Sequence, residues 1–225
     1  MDKNSKVIII GNSPSVLNYE YGSIIDSYDV VIRINRCLTT GFEKYIGSKT
    51  DIWATTKNTY YKDNFVPNNY DKLSYIWYRT PTAKKNVKVK KQFKNLNIPY
   101  LIMSKHRDEK KLKISEFFEN CTLLGKKHPP CTGLLAILTA VKLYSDITIH
   151  GFSFYGESDG AVQCYYRDSE LKDGKHHAED VHWLKNKNSG FAGRDIGLEK
   201  AQIVFKLIDD GEIKMGDLPD YGIKD

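Results

Sequence analysis

The sequence has no long hydrophobic run and few cysteines. None of its 225 residues lies in a stretch that approaches the roughly 20 consecutive apolar residues of a membrane-spanning helix. Its four cysteines lie far apart, without CxxC or histidine-rich spacing, which argues against a zinc site and against a disulfide framework. The first residues run directly into an apolar segment without a signal-peptide pattern. We therefore expect a cytoplasmic protein with reduced thiols.

Two common nucleotide-binding signatures are also absent. The first apolar run ends at Gly11, and the residues after it have neither the GxGxxG spacing of a dinucleotide site nor the lysine and threonine of a P-loop. No ribose-binding acid stands out either. These absences argue against a Rossmann oxidoreductase.

The charge is moderately basic, with 34 Lys and Arg against 28 Asp and Glu and a formal net charge of +6. The lysines concentrate in residues 84–94 and 105–113, where they alternate with apolar residues as on surface helices and lack interleaved aromatics. We expect no nucleic-acid partner. If the protein contacts a membrane surface peripherally, these lysines are the expected place.

The 40% hydrophobic and 28% charged composition is that of a globular protein, and the length predicts one domain over residues 1–225. Apolar segments typical of buried parallel strands alternate with helix-like segments, which predicts a single doubly wound, mostly parallel, Rossmann-like α/β sheet. The predicted strands are residues 6–10, 28–34, 51–55, 73–77, 100–103, 147–150 and 213–215. The clearest helices are 132–144 and 195–210, with Gly211 as the C-cap of the second.

Residues 156–193 differ from the rest of the chain. The segment is polar, glycine-rich and contains three histidines. We predict a long loop or lid over a site.

Polar residues follow three of the predicted elements. Asn12 and Ser13 come after the first strand, and residues 33–36 (RINR) close the second, where open α/β sheets bind ligands. Thr132 is predicted to cap its helix, so that the free amides at Gly133 face an anion such as a monophosphate. The alternative for Asn12 and Ser13 is a plain turn that ends the strand, and the alternative for the two arginines is structural salt bridges. For Thr132 the alternative is a helix cap without a ligand, which is preferred over a phosphate site from these residues alone.

Taken together, these segments resemble the sialyltransferases. Residues 7–13 (VIIIGNS), 29–36 (DVVIRINR) and 40–50 (TGFEKYIGSKT) are similar to the large sialylmotif of that family. Residues 130–136 (PCTGLLA) and 146–152 (DITIHGF) are similar to its small sialylmotif. The resemblance covers residues 6–56 and 129–155 well and the rest loosely.

The resemblance implies a Rossmann-like, GT-A-like fold, a CMP-sugar donor, a glycan acceptor, inversion at the anomeric carbon and no metal or other cofactor. The residues that it places around the cytidine monophosphate are Gly11, Asn12, Ser13, Asn35, Thr132, Gly133, Gly151 and Phe152. Tyr155 and one of Tyr165 or Tyr166 are the candidates for hydrogen bonds to the leaving phosphate.

The sequence departs from the family pattern in two places. Lys6 and Ser145 occupy about the positions of the cysteines that link the two motifs in secretory-pathway members, which makes this chain more like a cytoplasmic, bacterial or viral version. Residues 194–199 (RDIGLE) approximate the family's histidine four residues before a glutamate, with Arg194 in the place of the histidine and Glu199 five residues after it, and an arginine cannot act as a base. We therefore predict that His182, or else His177, is the catalytic base, because histidine titrates near neutral pH.

Three readings follow from these residues. The first is transfer of sialic acid from CMP-sialic acid to a glycan hydroxyl. The second keeps the fold and mechanism with another CMP-activated acidic sugar such as Kdo. The third is a non-catalytic module that binds CMP or a glycan.

Overall fold

A seven-stranded sheet runs through the part of the chain that the computed structural model describes, which is residues 1–56, 67–68, 70–79, 96–103, 131–152 and 203–215. Its strands are β1 (Lys6–Ile10), β2 (Val30–Ile34), β3 (Ile52–Thr56), β4 (Tyr75–Arg79), β5 (Tyr100–Ile102), β6 (Asp146–His150) and β7 (Lys214–Met215). Each was predicted to within two residues at either end.

Four described helices accompany the sheet: α1 (Gly22–Asp26), α2 (Glu43–Ile46), α3 (Thr132–Leu143) and α4 (residues 203–209). Short 3₁₀ turns lie at Pro14–Leu17 and Tyr70–Lys72. The helix predicted over 132–144 is confirmed as α3. Of the helix predicted over 195–210, the first residues lie outside the described part, and its C-cap is confirmed by Gly211, which has φ +72° and donates its N–H to the carbonyl of Ile208.

The strand order is β5-β4-β3-β2-β1-β6-β7, and all six described strand pairs are parallel. This confirms the predicted parallel, Rossmann-like α/β sheet. Strands β2 to β5 are added in chain order on one side of β1, and β6 and then β7 are added on its other side. The direction of building therefore reverses between β1 and β6, which is where open α/β sheets of this kind bind their ligands.

The sheet is covered on both faces, which explains why β1 reads as a continuous apolar run. Val7 and Ile9 face the main core, which contains α3 and the apolar residues of α4. Ile8 and Ile10 face the opposite side, where they pack with Ile25 of α1. Every residue from Val7 to Ile10 is at most 2% exposed, so a polar side chain would be costly at any of them.

The first residues of β1 and β6 are neighbours, with Lys6 paired to Asp146. Ser145 donates its backbone N–H and its hydroxyl to the carbonyl oxygen of Lys3, both at 3.0 Å. Lys6 and Ser145, the two positions that the resemblance equates with linked cysteines, thus lie at the same edge of the sheet, where hydrogen bonds join the two segments.

Candidate active site

The carboxyl ends of β1 and β6 meet in a contact between two glycine backbones, which we call the β1–β6 junction (Gly11 and Gly151). Gly11 donates its N–H to the carbonyl of His150 at 2.7 Å. A Cβ placed on Gly11 would lie 2.1 Å from the carbonyl oxygen of Gly151, closer than any real contact allows. Side chains are therefore excluded, and bare backbone lines the crevice where the direction of the sheet reverses.

Gly151 is constrained further by its own conformation. Its φ is +77°, and a Cβ there would lie 2.5 Å from Cγ1 of Val16. Its carbonyl oxygen accepts the N–H of Ser13 at 3.0 Å, so β6 holds the turn that follows β1.

Ser13 lies at the junction as predicted, although its hydroxyl is already engaged. The side chain is 4% exposed and caps the 3₁₀ turn at Pro14–Leu17. Its Oγ accepts the hydroxyl of Ser15 at 2.9 Å and the N–H of Ser15 at 3.4 Å. Ser13 therefore shapes the turn beside Asn12.

The side chain of Asn12 connects the ends of two strands. Its Nδ2 donates to the carbonyl oxygen of Ile34, the last residue of β2, at 3.1 Å. The residue is half-buried. Asn12 and Asn35, which the resemblance predicts to contact one ligand from two segments of the large sialylmotif, thus lie at adjoining strand ends.

Asn35 has an unusual backbone conformation, with φ +52°. Its N–H donates to the carbonyl of Ala54 at 2.8 Å, and its carbonyl oxygen accepts the indole N–H of Trp53 at 2.7 Å. Its side-chain Oδ1 is buried and accepts no hydrogen bond from any described residue. A buried acceptor without a donor destabilises the protein, and a non-glycine residue in the left-handed region is uncommon, although asparagine adopts it more readily than most.

The N-terminus of α3 forms another wall of the site. A Cβ placed on Gly133 would lie 3.2 Å from Cε1 of Phe152 and 3.6 Å from Cδ1 of Ile34. Phe152 is half-buried against the main core. The first turn of α3, the end of β2 and Phe152 are therefore neighbours, and the resemblance assigns residues of all three segments to the donor site.

The prediction that Thr132 caps this helix is wrong. Cys131 is the N-cap, because its backbone is extended (φ −68°, ψ 167°) and its Sγ accepts the N–H of Leu134 at 3.5 Å. Thr132 is already the first helical residue and is 3% exposed. Its side chain is buried in the helix's first turn, one position too late to cap it.

Arg33 does not face a ligand either. Its side chain is fully buried, with Nε donating to the carbonyl of Lys49 at 2.9 Å and Nη2 to the carbonyl of Ile46 at 2.7 Å. It holds the loop after α2 by carbonyl contacts. Among residues 33–36, Asn35 is the one that combines a positive φ with a buried side-chain oxygen that accepts no hydrogen bond from a described residue.

Sequence reasoning missed two residues at this edge of the sheet. Arg79 ends β4, where burial lowers the pKa of its guanidinium and interaction with Cys131 opposes that change. Trp53 reaches the carbonyl of Asn35 from β3. The strand-end rule applied to β1 and β2 would also have indicated Arg79, whereas no sequence signal indicates the bond of Trp53.

The cysteines and histidines of the described part show no metal-binding or redox arrangement. Cys37 and Cys131 are free thiols, and burial raises the pKa of Cys37 to about 12, so its thiol is unreactive at neutral pH. His150 is 2% exposed and contacts the ring of Tyr21, which fits a structural role. Among the described residues, no group of three or more His, Cys, Asp or Glu could hold a metal ion.

Several predicted features lie outside the described residues. They are the candidate bases His177 and His182, the candidate phosphate ligands Tyr155, Tyr165 and Tyr166, Arg194, the lid at 156–193 and the lysine clusters at 84–94 and 105–113. No helix within the described ranges is long and apolar enough to cross a membrane.

The chain is similar to known proteins over most of its length. The sequence profile of glycosyltransferase family 29 (sialyltransferase) matches residues 2–187. A mouse CMP-N-acetylneuraminate-beta-galactosamide-alpha-2,3-sialyltransferase is 29% identical over 180 residues, covering 72% of this chain and 53% of the relative. Its rat counterpart is 30% identical over 188 residues, covering 74% of this chain and 55% of the relative. This chain thus spans about half the length of these curated relatives.

Two further comparisons concern a plant protein and a solved structure. A beta-1,6-galactosyltransferase of Arabidopsis thaliana is 46% identical over 50 residues, covering 22% of this chain and 13% of that protein. A solved mammalian sialyltransferase in complex with Gal-beta-1-3GalNAc-ortho-nitrophenol has a TM-score of 0.55 at 17% identity and covers 94% of this chain and 69% of that one. The likeness to the solved structure shows the shared fold. The profile match over residues 2–187 shows that this chain belongs to glycosyltransferase family 29, the sialyltransferases.

Proposed function

We propose that this protein transfers sialic acid from CMP-sialic acid to a glycan hydroxyl, with inversion at the anomeric carbon and without a metal ion. The observation that carries the proposal is the set of contacts at the β1–β6 junction. There two glycine backbones touch, and the predicted nucleotide ligands Asn12 and Asn35 lie at adjoining strand ends. The names of the curated relatives support the CMP-activated donor.

The nucleotide half of the donor fits the groups at this edge. The unpaired Oδ1 of Asn35 can accept a hydrogen bond from an amine or hydroxyl of cytidine. The amides in the first turn of α3, apart from that of Leu134, which Cys131 caps, suit the single phosphate. Phe152 offers the edge of an apolar ring beside that turn.

The transfer is a single displacement. The acceptor hydroxyl oxygen attacks the anomeric carbon, the bond from that carbon to the phosphate oxygen breaks, and CMP leaves with the bonding electrons. A base takes the hydroxyl proton, a role that we assign to His182 or else His177. Tyr155 and one of Tyr165 or Tyr166 donate hydrogen bonds to the departing phosphate.

A metal is not needed in this scheme, because a CMP leaving group carries less charge than a nucleoside diphosphate. Amide and hydroxyl donors can stabilise the charge that develops on the phosphate. We propose that a galactose-terminated glycan is the acceptor, since the relatives are named for galactosides or galactosamides and a solved neighbour holds Gal-beta-1-3GalNAc.

A transfer assay tests the proposal. The protein is incubated with a galactose-terminated acceptor and, separately, CMP-sialic acid, CMP-Kdo or UDP-galactose, with and without EDTA. We expect product from CMP-sialic acid at an unchanged rate in EDTA. Product from CMP-Kdo or UDP-galactose alone would contradict the proposal that CMP-sialic acid is the donor. Activity that EDTA abolishes and that Mg²⁺ or Mn²⁺ restores would contradict the proposal that no metal takes part.

Substitution of His182 and His177 by alanine, one at a time, tests the base. We expect at least one variant to lose roughly 10²- to 10⁴-fold in turnover while it binds CMP like the wild type. If both keep full turnover, the base is elsewhere. CMP binding by the wild type without transfer from any donor would favour a non-catalytic binding module.

A further inference from the structure

Trp53 forms the hydrogen bond that holds the most unusual residue of the site. It is the second residue of β3, is fully buried, and packs with Cys37, Ile76 and Tyr78 on the face of the sheet opposite α3. Its indole Nε1 donates to the carbonyl oxygen of Asn35 at 2.7 Å. A core residue is thus bonded directly to a residue at the predicted nucleotide site.

The backbone around Asn35 is held at three points. The N–H of Asn35 donates to the carbonyl of Ala54, and the carbonyl of Asn35 accepts the indole N–H of Trp53. The carbonyl of the preceding residue, Ile34, accepts the side-chain amide of Asn12. These bonds hold the residue at φ +52°, in the left-handed region that asparagine adopts more readily than other non-glycine residues. Without such bonds, the chain would relax toward an extended or right-handed conformation.

We propose that Trp53 is a positioning residue for the donor nucleotide, because its indole N–H fixes Asn35 in the left-handed conformation in which Oδ1 is buried and unpaired. The proposal rests on the proposed function of this site. A ligand donor finds an acceptor already in place, so binding does not have to order Asn35. Trp53 itself touches no ligand in this scheme.

A second tryptophan separates this role from simple core packing. Trp77 of β4 is also fully buried, but its Nε1 has no hydrogen-bond partner among the described residues. Replacement of either tryptophan by phenylalanine removes similar buried ring area. At Trp53 alone, the replacement also leaves the carbonyl of Asn35 without its donor.

The test measures CMP binding by calorimetry and thermal unfolding for the full chain, Trp53→Phe and Trp77→Phe. We expect both variants to melt at lower temperature than the wild type. Trp53→Phe should bind CMP roughly five- to tenfold more weakly, the loss expected for one hydrogen bond, and Trp77→Phe should stay within about twofold of the wild type. Equal CMP affinity in the two variants would overturn the inference.

A double-mutant cycle tests whether Trp53 acts through Asn35. In the Asn35→Ala variant, the further change Trp53→Phe should weaken CMP binding by less than about twofold. If Trp53→Phe instead causes the same five- to tenfold loss in the wild type and in Asn35→Ala, Trp53 acts independently of Asn35. If Trp53→Phe fails to fold, replacement of Trp53 by the isosteric benzothienylalanine removes only the N–H, and the same fold-changes apply. A wild-type protein that does not bind CMP would overturn the proposed function and this inference together, whereas wild-type binding with no specific loss at position 53 overturns this inference alone.

Discussion

His150 is a buried histidine next to the β1–β6 junction, and it should make stability depend on pH. Burial lowers its pKa to about 4, while an unfolded histidine titrates near pH 6.5. Above about pH 6.5 both states are neutral. Between about pH 6.5 and 4 the unfolded chain binds a proton that the folded protein excludes, so the free energy of unfolding falls as the pH falls.

Urea unfolding at pH 7 and pH 5.5 measures this effect. Replacement of His150 by glutamine removes the titrating group, so the variant should lose about 1 kcal/mol less than the wild type between the two pH values. The other histidines are present in both proteins and cancel in the comparison. Equal losses would mean that His150 takes up its proton in the folded protein.

Single residues were predictable where a backbone rule applied and unpredictable where a side chain reached across the fold. Gly11, Asn12 and Asn35 follow from their places after strands, since the carboxyl edge of a parallel sheet gathers such residues. The role of Trp53 does not, because its hydrogen bond joins residues 18 apart in sequence whose proximity depends on the pairing of β2 and β3. The error at Thr132 is a displacement of one residue, because Cys131, a weaker acceptor, takes the capping position.

The turn after β6 is constrained both by its backbone conformation and by packing. Gly151→Ala combines an unfavourable φ of +77° with a Cβ that would lie 2.5 Å from Val16 Cγ1 and 3.0 Å from the carbonyl oxygen of Gly11. We expect it to lower the free energy of unfolding by about 2 kcal/mol or more and to weaken CMP binding, as measured by urea unfolding and calorimetry.

Gly211→Ala at the end of α4 is the matched control. Gly211 has a similar φ of +72°, but nothing lies within 4 Å of a Cβ placed there. Its replacement should cost about 1 kcal/mol from the backbone alone and leave CMP affinity unchanged. If the two variants lose equal stability and bind CMP equally, the contact at the β1–β6 junction contributes neither to stability nor to CMP binding.

At the level of elements, the sequence was informative because each buried strand combines a short apolar run with a polar or glycine boundary. The start of β4 shows where this fails. Leu73 is buried like a strand residue, yet it follows the 3₁₀ turn at Tyr70–Lys72 and donates its N–H to the carbonyl of Tyr70, so the strand begins at Tyr75. An apolar pattern indicates which residues are buried, whereas backbone hydrogen bonding determines where a strand begins.

For the whole molecule, alternation of strands and helices predicted a parallel doubly wound sheet, and the resemblance of two separated motifs predicted that they meet. The structure brings them together because β1 and β6, one from each motif, are adjacent in the sheet. The order of the strands in the sheet could not be predicted from the sequence, because the apolar segments would look the same in any strand order.

Thermal unfolding with saturating CMP tests the central claim, a cytidine monophosphate site at the β1–β6 junction, most directly. At about 100 times the dissociation constant, a ligand that binds only the folded protein adds about 2.7 kcal/mol, which for a chain of this size raises Tm by roughly 5–10 °C. We predict this rise with CMP and a much smaller one with UMP, AMP or NAD. No rise with CMP, or an equal rise with AMP or NAD, would contradict the account.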